Sequence, residues 1–381
     1  YTTKVGICDD TLVVIGSGDP LLGDGKTDNK YGREKGWIFK DIVQTLKRNG
    51  IGTIKDIIID SSIFDDQRVH PSWPKNDLNR WYACELSGLN YNDNCIEISA
   101  KNNRGKVSVF LNPQTSFLKF RNNVKPISRG NSVIGSYRGT EINNIIVYGK
   151  CRKSIGPFVV AIERPAAFFG FLLAENLARA GIKTTGRLIE KTLDETGDFR
   201  LLAQYTTGLN DCLARCNKNS LGLAAEALFK TIAANNNLDQ KNGSWDKGRE
   251  LVSEYLSKLG ISKNEFYIDD ASGLSDQNRL SANVLIKVLL SIYNSNDWGF
   301  YKNSLAVGGV DGSIARYFRD RKYKGKIFGK TGYISSVKTF SGVCATEKGD
   351  YIFSILANNT NGHTRTVIND IAEAIIDNAS M

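Results

Sequence analysis

The chain has 381 residues, of which 41% are hydrophobic and 24% are charged, and its formal net charge at neutral pH is +10. This composition is typical of a globular protein with room for two or three domains, and no apolar stretch approaches the roughly 20 residues that a membrane helix needs. The positive net charge would attract an anionic polymer, a membrane surface or acidic cell-wall material, or it could reflect only a Lys-rich solvated surface. No basic run is interleaved with aromatic residues, which argues against nucleic-acid binding.

The first half of the chain, up to about residue 200, is predicted to be mainly β. Runs of β-branched residues bounded by Gly, Asn and Pro favour strands. Strands are expected at 1–8, 11–15 and 57–60, and short strands follow across 95–160. Two helices interrupt them: one carries Ile38, Ile42, Val43 and Leu46 on a single face, and the other begins at Pro165 and ends before Gly181.

The second half is predicted to be mainly helical, with a β-hairpin and a final helix after the helical block. Helical periodicity extends from about 209 to 259 and again from 281 to 293. The first of these segments places one stripe of residues together: Leu221, Ala224, Ala225, Leu228 and Ile232. The final helix carries Val367, Ile371, Ala374 and Ile375. Such a helical block with a hairpin sheet is an α+β domain.

The hairpin region contains the most informative tripeptide of the chain, Lys330-Thr331-Gly332. Strand-like runs before and after a Glu-Lys-Gly-Asp turn predict the hairpin, and Gly349 is expected to supply the positive φ of that turn. The tripeptide would then lie on the preceding strand, at a sheet edge that faces a cleft. Penicillin-binding proteins and class A β-lactamases use such an element beside an S-x-x-K nucleophile and an S-x-N motif.

Histidine and cysteine contribute little to the predicted chemistry. Only two histidines are present, neither in a triad-like context, so a lysine is favoured as the base. The seven cysteines form no C-x-x-C pair, and Cys212 and Cys216, at helical spacing, have no histidine nearby to complete a metal site. Most cysteines are expected in the core, with a disulfide between Cys84 and Cys95 as an alternative.

A segment at 217–228, NKNSLGLAAEAL, supplies a second motif. It resembles the N-K-x-S-x-N-x-x-A-E-x-L pattern of low-molecular-mass penicillin-binding proteins, the D-alanyl-D-alanine carboxypeptidase/endopeptidases with large inserted domains. Further matches follow in the order of that family, so the resemblance covers essentially the whole chain. They are Gly243-Ser244-Trp245 with Gly248, the segments 270–275 and 309–312, the Lys-Thr-Gly tripeptide, and 354–356 with Asn358 and Asn359.

The resemblance implies a fold and a mechanism. The fold is α+β, with a penicillin-binding, β-lactamase-like core of antiparallel sheet and helices and mainly β inserted domains. The serine of S-x-x-K attacks a D-alanyl carbonyl, the lysine of that motif takes its proton, and water or an amine releases the acyl-enzyme. Ser220 would relay protons to the leaving nitrogen and Lys330 would add positive potential. Thr331 would hold the terminal carboxylate of the substrate, and Gly332 would permit its close approach.

Structural interpretations of the same residues stay open. Ser220 could be only a helix N-cap, and Lys330 an edge lysine that protects the sheet from aggregation. Asp270 and Ser272 are candidates for substrate binding, but they could equally form a turn, as could Asp311.

One departure from the family pattern affects a substrate-binding position. Gly222 stands where the family has Asn, so no side-chain amide is available there to the substrate carbonyl or the catalytic lysine. Losing such a positioned hydrogen bond can cost about 10²–10³ in rate. Water, Asn217 or Asn219 are the substitutes that the sequence offers.

A second departure concerns the nucleophile. Four S-x-x-K tetrads are present, and each has an ordinary explanation in its local sequence; they begin at Ser72, Ser116, Ser244 and Ser335. In the family, the catalytic tetrad precedes the segment that resembles Tyr1 to Val5. The nucleophile is therefore expected upstream of Tyr1, outside this sequence.

The sequence thus predicts a serine D-alanyl-D-alanine carboxypeptidase/endopeptidase, periplasmic or otherwise exported to the cell envelope. It would act on peptidoglycan peptides and bind β-lactams, without metal, organic cofactor or nucleic-acid partner, and peripheral association with the envelope is a further expectation. Residues 1–200 are expected to form two nested, inserted β domains, and 201–381 the larger part of the core. The alternative is a catalytically inactive homologue that serves as a binding or structural module in the envelope.

Overall fold

The structure is a computed structural model that describes residues 1–193, 198–236 and 242–379. The chain divides into two compact units, Tyr1–Thr207 with Ala234–Gly243 and Gly208–Ala233 with Ser244–Met381. Strands dominate the first unit and helices the second, which confirms the predicted α+β class. Within the described ranges, no helix has both the length and the apolarity that crossing a membrane requires.

The first unit is built mainly of short strands. They are β1 (Thr2–Cys8), β2 (Thr11–Ile15), β3 (Thr53–Ile54), β4 (Ile57–Asp60), β5 (Cys95–Asn103), β6 (Lys106–Asn112), β7 (Lys119–Pro126), β8 (Val133–Arg138), β9 (Asn144–Cys151), β10 (Ser154–Ala161), β11 (Lys183–Thr184), β12 (Leu188–Glu190) and β13 (Arg200–Thr206). Its helices are α1 (Gly25–Lys30), α2 (Trp37–Arg48) and α3 (Pro165–Arg179), with 3₁₀ turns at Lys75–Asp77, Trp81–Ala83 and Asn92–Asn94.

Four sheets organise these strands. The largest has the order β12-β4-β2-β1-β13, and the others are β10-β5-β6, β7-β9-β8 and β11-β3. Helix α2 buries the predicted residues Ile38, Ile42 and Leu46, and Phe39 beside them contacts Phe169 of α3 at 5.1 Å between ring centroids. The apolar faces of α2 and α3 thus meet in the main core of this unit.

The cysteines of the first unit do not form the alternative disulfide. Cys84 and Cys95 are both buried and both are free thiols. Burial raises the pKa of the Cys84 thiol, and the nearby Asp93 carboxylate adds to the effect. These two cysteines are therefore small core residues that stay protonated.

The second unit combines helices with one antiparallel sheet. Its helices are α4 (Leu209–Asn219), α5 (Gly222–Asn236), α6 (Trp245–Lys258), α7 (Ala282–Tyr293), α8 (Trp298–Ser304) and α9 (Thr364–Ala379). Its strands are β14 (Phe266–Tyr267), β15 (Arg279–Leu280), β16 (Ala306–Val307), β17 (Ile327–Ile334), β18 (Val337–Thr346) and β19 (Gly349–Asn358), and its 3₁₀ turns are Lys263–Glu265 and Gly312–Ile314.

The hairpin predicted from the sequence is β18–β19, closed where Thr346 pairs with Gly349, whose φ is +119°. The sheet order is β16-β17-β18-β19, and α9 packs against it. The predicted face of α9 is wrong: Val367 and Ile371 are about half exposed, and the buried residues lie one position later, at Ile368, Ala372 and Ile376. Apolar residues surround much of this helix, so hydrophobic periodicity alone does not identify the buried side.

Candidate active site

The Lys-Thr-Gly tripeptide lies in the middle of β17. The strand pairs with β18 along its whole length, from Ile327 opposite Cys344 to Ile334 opposite Val337. On the other side, β16 pairs only as far as Gly329. Among the described residues, no strand covers the outer edge of β17 from Lys330 onward, so the tripeptide lies at an edge as the sequence predicted.

Ser220 lies at the junction of α4 and α5. It is the C-cap of α4 and has left-handed backbone angles, with φ 54° and ψ 42°. In the first turn of α5, the amides of Ala224 and Ala225 donate to the carbonyl of Leu221, not to Ser220. The hydroxyl of Ser220 instead accepts a hydrogen bond from Lys330 Nζ at 2.5 Å. Ser220 is thus held between two helices with its side chain on the tripeptide, and the interpretation as a simple N-cap is wrong.

Lys330 is partly buried rather than a solvated edge lysine. Besides Ser220, its ammonium donates to the carbonyl oxygen of Thr331 at 2.6 Å. Burial lowers the pKa of Lys330, and the nearby Cys216 opposes that change. The site therefore holds a cation in surroundings that weaken its hold on the proton.

Thr331 and Gly332 shape the strand around this cation. The hydroxyl of Thr331 lies 2.9 Å from the hydroxyl of Ser313, on the 3₁₀ turn Gly312–Ile314. A Cβ atom on Gly332 would lie 2.3 Å from Thr339 Oγ1 of β18, so a side chain there would require the Thr339 hydroxyl to move. Two hydroxyls and one ammonium thus line neighbouring positions, a donor set suited to a carboxylate.

Two contacts tie the end of α4 to the segment before β17. Lys218 Nζ lies 2.5 Å from Asp311 Oδ2, and Asp311 Oδ1 accepts the amide of Val307 at 2.9 Å. Asn217 donates to the hydroxyl of Ser304 at 2.8 Å. These bonds position the two residues of α4 that closely precede Ser220. The sequence identified the N-K pair by family pattern but gave no sign of its partners.

Arg365 is a further contact that sequence analysis missed. From the first turn of α9 its guanidinium donates to the carbonyl of Gly332 at 3.3 Å and reaches that of Thr339 at 3.5 Å. It therefore clamps β17 to β18 at the tripeptide. The sequence feature that could have indicated Arg365 is its position as a basic residue at the start of a helix with an apolar face.

Gly222 is the first residue of α5, two positions after Ser220. The two asparagines that the sequence offers as substitutes for the missing amide each have a hydrogen bond to another residue. Asn217 is buried and donates to Ser304, and Asn219 accepts from Arg215 at 2.8 Å. Neither hydrogen bond involves Ser220 or Lys330, so these contacts give no amide to the site.

A buried carboxylate on α5 organises the loop after β14. Glu226 accepts hydrogen bonds from Trp245 Nε1 at 2.8 Å, from the amide of Ser272 at 2.8 Å and from the amide of Ala271 at 3.3 Å. Burial raises the pKa of Glu226 to about 7, and the Asp270 carboxylate adds to this while the hydrogen bonds from Trp245 and Ser272 oppose it. The loop is thus fixed to the helix that follows Ser220.

Asp270 and Ser272, the remaining predicted site residues, lie in this loop. The Asp270 carboxylate accepts from the amides of Gly273 and Ser275 and from Asn278 Nδ2, at 2.9, 2.8 and 2.7 Å. The Ser272 hydroxyl donates to Asp270 at 3.3 Å. Asp270 therefore forms the loop itself, as the turn interpretation expected. Its role in binding substrate stays a prediction.

The buried stripe of α5 differs from the predicted one. Ile232 is 44% exposed, whereas the polar residues Glu226 and Lys230 are almost fully buried. The Lys230 ammonium lies 3.7 Å from the centroid of the Trp245 ring. A helix that buries charged groups beside a tryptophan does not follow the hydrophobic pattern on which the prediction depended.

None of the four S-x-x-K tetrads has the geometry of a nucleophile and its base in the described structure. Ser244 caps α6 by accepting the amide of Lys247. Ser335 lies in the turn between β17 and β18, where the lysine of its tetrad, Lys338, bonds to the carbonyl of Asn361. Ser116 donates to Glu175 at 2.8 Å, and Ser72 lies beside a 3₁₀ turn. The contacts at Ser116, Ser244 and Ser335 are thus ordinary structural ones, in agreement with chance matches to the pattern.

Within the described ranges, no group of three or more His, Cys, Asp or Glu side chains could hold a metal ion. The chemistry available in the candidate site is that of hydroxyls, one ammonium and backbone amides. Such a set suits acyl transfer, in which charge develops on oxygen and protons move between a serine and a leaving nitrogen.

Comparison with known proteins supports the same chemistry. The sequence profile of the D-Ala-D-Ala carboxypeptidase 3 (S13) family matches residues 2–378. A D-alanyl-D-alanine carboxypeptidase of Actinomadura sp. (strain R39) is 26% identical over 94% of this chain and 68% of its own length. D-alanyl-D-alanine carboxypeptidase DacB of Haemophilus influenzae is 24% identical over 91% of this chain and 71% of its own.

Solved structures agree on the fold. The crystal structure of penicillin binding protein 4 from Haemophilus influenzae covers 99% of this chain and 85% of its own, with a TM-score of 0.80 and 21% identity. A second structure of that protein, in complex with a β-lactam, gives a TM-score of 0.73. The ordered motifs, the fold and the matching profile lead to one conclusion: the chain belongs to the D-Ala-D-Ala carboxypeptidase 3 (S13) family.

Proposed function

We propose that the protein is a serine D-alanyl-D-alanine carboxypeptidase/endopeptidase that acts on peptidoglycan peptides through an acyl-enzyme and is acylated by penicillin. The observation that carries the proposal is the hydrogen bond of 2.5 Å between Lys330 Nζ and Ser220 Oγ. It joins two motifs that are far apart in sequence into one site, and the family to which the chain belongs is named for this activity.

The direction of this hydrogen bond determines the role of Ser220. An ammonium has only donors, so Ser220 Oγ accepts and its own proton is free to point elsewhere. In the proposed reaction, the lysine of the S-x-x-K motif takes the hydroxyl proton of the nucleophilic serine as the serine oxygen bonds to the D-alanyl carbonyl carbon, and the C–N bond then breaks. The leaving nitrogen takes the Ser220 proton, Lys330 returns a proton to Ser220, and the proton held by the S-x-x-K lysine replaces the one that Lys330 gave up. The pKa of Lys330, lowered by burial, favours that return.

The same site holds the substrate carboxylate. Thr331 and Ser313 place two hydroxyls 2.9 Å apart, and the Lys330 ammonium is bonded to the carbonyl oxygen of the same Thr331. A carboxylate that accepts from these groups would lie along the open edge of β17, where the peptide backbone could also pair with the strand. Because Gly332 leaves no side chain at the next position, the substrate can approach closely.

The attacking serine is proposed to belong to an S-x-x-K motif other than the four within residues 1–381. We also place the protein in the periplasm or on the cell envelope, where its substrate is, and assign the first unit to the inserted domains. These parts of the proposal rest on the family resemblance and on the positions of the four tetrads.

A second candidate function is that of an inactive homologue that binds in the envelope without catalysis. Gly222 favours it, because this residue lacks the amide of the family pattern and the hydrogen bonds of Asn217 and Asn219 go to Ser304 and Arg215. The two functions differ in one assay of the full-length gene product, the release of D-alanine from a peptide that ends in D-Ala-D-Ala. We expect release that prior treatment with penicillin abolishes. A folded protein that releases no D-alanine and cleaves no cross-linked muropeptide would support the inactive homologue.

A further inference from the structure

The sheet β7-β9-β8 of the first unit has one buried and one exposed face. Val124, Ile145 and Val147 point into the core, each less than a tenth exposed. Strand alternation and the pairing of β7, β9 and β8 place the other side chains on the opposite face, called here the outer face. Its exposed members are Lys119, Arg121, Asn123, Lys125, Val133, Tyr137, Tyr148 and Lys150.

Two tyrosines form a platform on the outer face. Tyr137 and Tyr148 are 49% and 48% exposed, and their ring centroids are 5.6 Å apart with 47° between the planes. Gly135 pairs with Tyr148 across the strands, and a Cβ atom at Gly135 would lie 3.0 Å from the Tyr148 ring. The Tyr148 ring therefore lies over the glycine, with no side chain of that residue beneath it.

A cavity of about 360 Å³ adjoins this platform. Its wall includes Tyr137 and Arg121, together with Thr140 and Asn144, and its volume lies within the range of small-ligand sites. Aromatic ring, guanidinium, hydroxyl and amide at one place are the groups that bind sugar hydroxyls and carboxylates.

The charge of the outer face is positive. Lys119 pairs with Glu141 at 3.6 Å, but within the described part of the chain Arg121, Lys125 and Lys150 make no ion pair. These three side chains are exposed, and the strand pairing brings Lys125 and Lys150 opposite each other. The face therefore attracts anionic groups spaced along an extended ligand.

We infer that the outer face binds the glycan strand of peptidoglycan, with sugar rings on Tyr137 and Tyr148 and the free carboxylates of the stem peptides on Arg121, Lys125 and Lys150. Flat, exposed rings suit the apolar faces of sugars, and separated cations suit carboxylates that recur along a polymer. The choice of this polymer rests on the proposed function. The tyrosine platform and the positive charge of the outer face do not depend on the proposed function, so binding to this face can be tested whether or not the chain is catalytic.

The test measures binding of the full-length gene product, treated beforehand with penicillin, to soluble glycan strands that carry stem peptides. Two probes separate the interactions: chitooligosaccharides have sugar rings without charge, and polyglutamate has carboxylates without rings. The variants are Tyr137→Ala, Tyr148→Ala and Arg121→Ala. Tyr255→Ala is the matched control, because Tyr255 is also an exposed tyrosine, at 47%, and lies on α6.

We expect each tyrosine variant to weaken binding of the glycan strand by about fivefold to tenfold, the range of an aromatic contact. Tyr255→Ala should bind as the wild type does. Arg121→Ala should weaken binding of both the strand and polyglutamate and reduce the salt dependence. Since Tyr148 covers Gly135, the thermal unfolding midpoint of Tyr148→Ala is measured as well; if that variant unfolds, Tyr137→Ala decides.

Three results would overturn the inference. The first is a wild type that does not bind the strand, and the second is a pair of tyrosine variants that bind it as tightly as the wild type. The third is binding of polyglutamate or single-stranded DNA that is at least as tight as that of the strand and insensitive to both tyrosines, which would make the face a general polyanion surface. Labelling by penicillin is recorded on the same samples, so that loss of the proposed function and loss of glycan binding are seen separately.

Discussion

Lys330 donates a hydrogen bond of 2.5 Å to Ser220, a residue 110 positions earlier in the chain. The lysine comes from a strand edge, and the serine from the left-handed residue between two helices. Neither the strand edge nor the residue between the helices is by itself a catalytic site. Their contact places a cation beside a hydroxyl whose own proton is free, which is the arrangement that proton transfer to a leaving nitrogen requires.

Ser220→Ala removes the proposed proton relay. We expect the rate of acylation by a fluorescent penicillin to fall by about 10²–10⁴, the usual contribution of a general acid or base. The change is measured by gel fluorescence at timed intervals on the full-length gene product. Ser257→Ala is the control, because Ser257 is an exposed serine of α6 that bonds only within its helix, to the carbonyl of Ser253 at 2.8 Å. A Ser220→Ala rate within twofold of the wild type would exclude the relay.

The alkaline limb of the acylation rate should report Lys330. Burial lowers the pKa of this lysine, so the charged form is lost at a lower pH than for an exposed lysine. Because the mechanism uses the cation, acylation should decline as pH rises through that lowered pKa. In Lys330→Ala, acylation should be slow at every pH and should show no further decline at high pH. Lys348→Ala, in the exposed hairpin turn, should leave the limb unchanged; a limb that persists in Lys330→Ala would assign it to another group.

Gly222→Asn restores the amide of the family pattern. The new side chain would stand on the first residue of α5, two positions after Ser220, where the neighbouring asparagines have other partners. We expect acylation to accelerate by about tenfold to 10²-fold, somewhat less than the full value of a well-positioned donor. Gly222→Ala adds a side chain without an amide. Comparing the two variants therefore separates the effect of the new hydrogen bond from the effect of replacing a glycine. Equal rates in both variants would mean that the missing amide does not limit the site.

Glu226 should make stability depend on pH. Its pKa is raised from 4.5 to about 7 by burial, so the folded state binds this proton more tightly than the unfolded chain. The resulting stabilisation is complete below about pH 4.5 and is lost as pH rises through about 7, a change of at most about 3 kcal/mol. Urea unfolding of Glu226→Gln should therefore show a smaller decline in the free energy of unfolding between pH 5 and pH 8.

The control for this measurement is Glu254→Gln. Glu254 is an exposed residue of α6 that pairs with Lys258, and it should keep the slope of the wild type. Groups near Glu226 include Asp270, whose charge raises its pKa, and the buried Lys230 beside Trp245. If the free energy of unfolding of Glu226→Gln declines as steeply as that of the wild type, Glu226 does not determine the slope.

Local sequence was sufficient for the elements that carry strong patterns. The hairpin β18–β19, the start of α3 at Pro165 and the apolar face of α2 lie where periodicity and turn residues predicted them. The family pattern also brought Ser220 and Lys330 into one predicted site, and their hydrogen bond is consistent with that prediction. These features depend on residues close together in sequence or on motifs with a known order.

The remaining contacts depend on tertiary structure, which periodicity does not encode. Glu226 and Lys230 lie on the buried side of α5 because Trp245 and the 270–275 loop supply their partners. Ser313 and Arg365 reach the tripeptide from a 3₁₀ turn and from α9. Each is a polar residue whose burial or contact is favourable only with a specific partner distant in sequence.

The central claim is that Ser220, Lys330 and Thr331 form the active site of a penicillin-acylated peptidase. The most direct measurement is incubation of the full-length gene product with a fluorescent penicillin, followed by denaturing electrophoresis. We predict a covalent fluorescent band that unlabelled penicillin prevents and that forms far more slowly in Lys330→Ala. A folded full-length protein that never becomes labelled, or Lys330→Ala labelled as fast as the wild type, would contradict the claim.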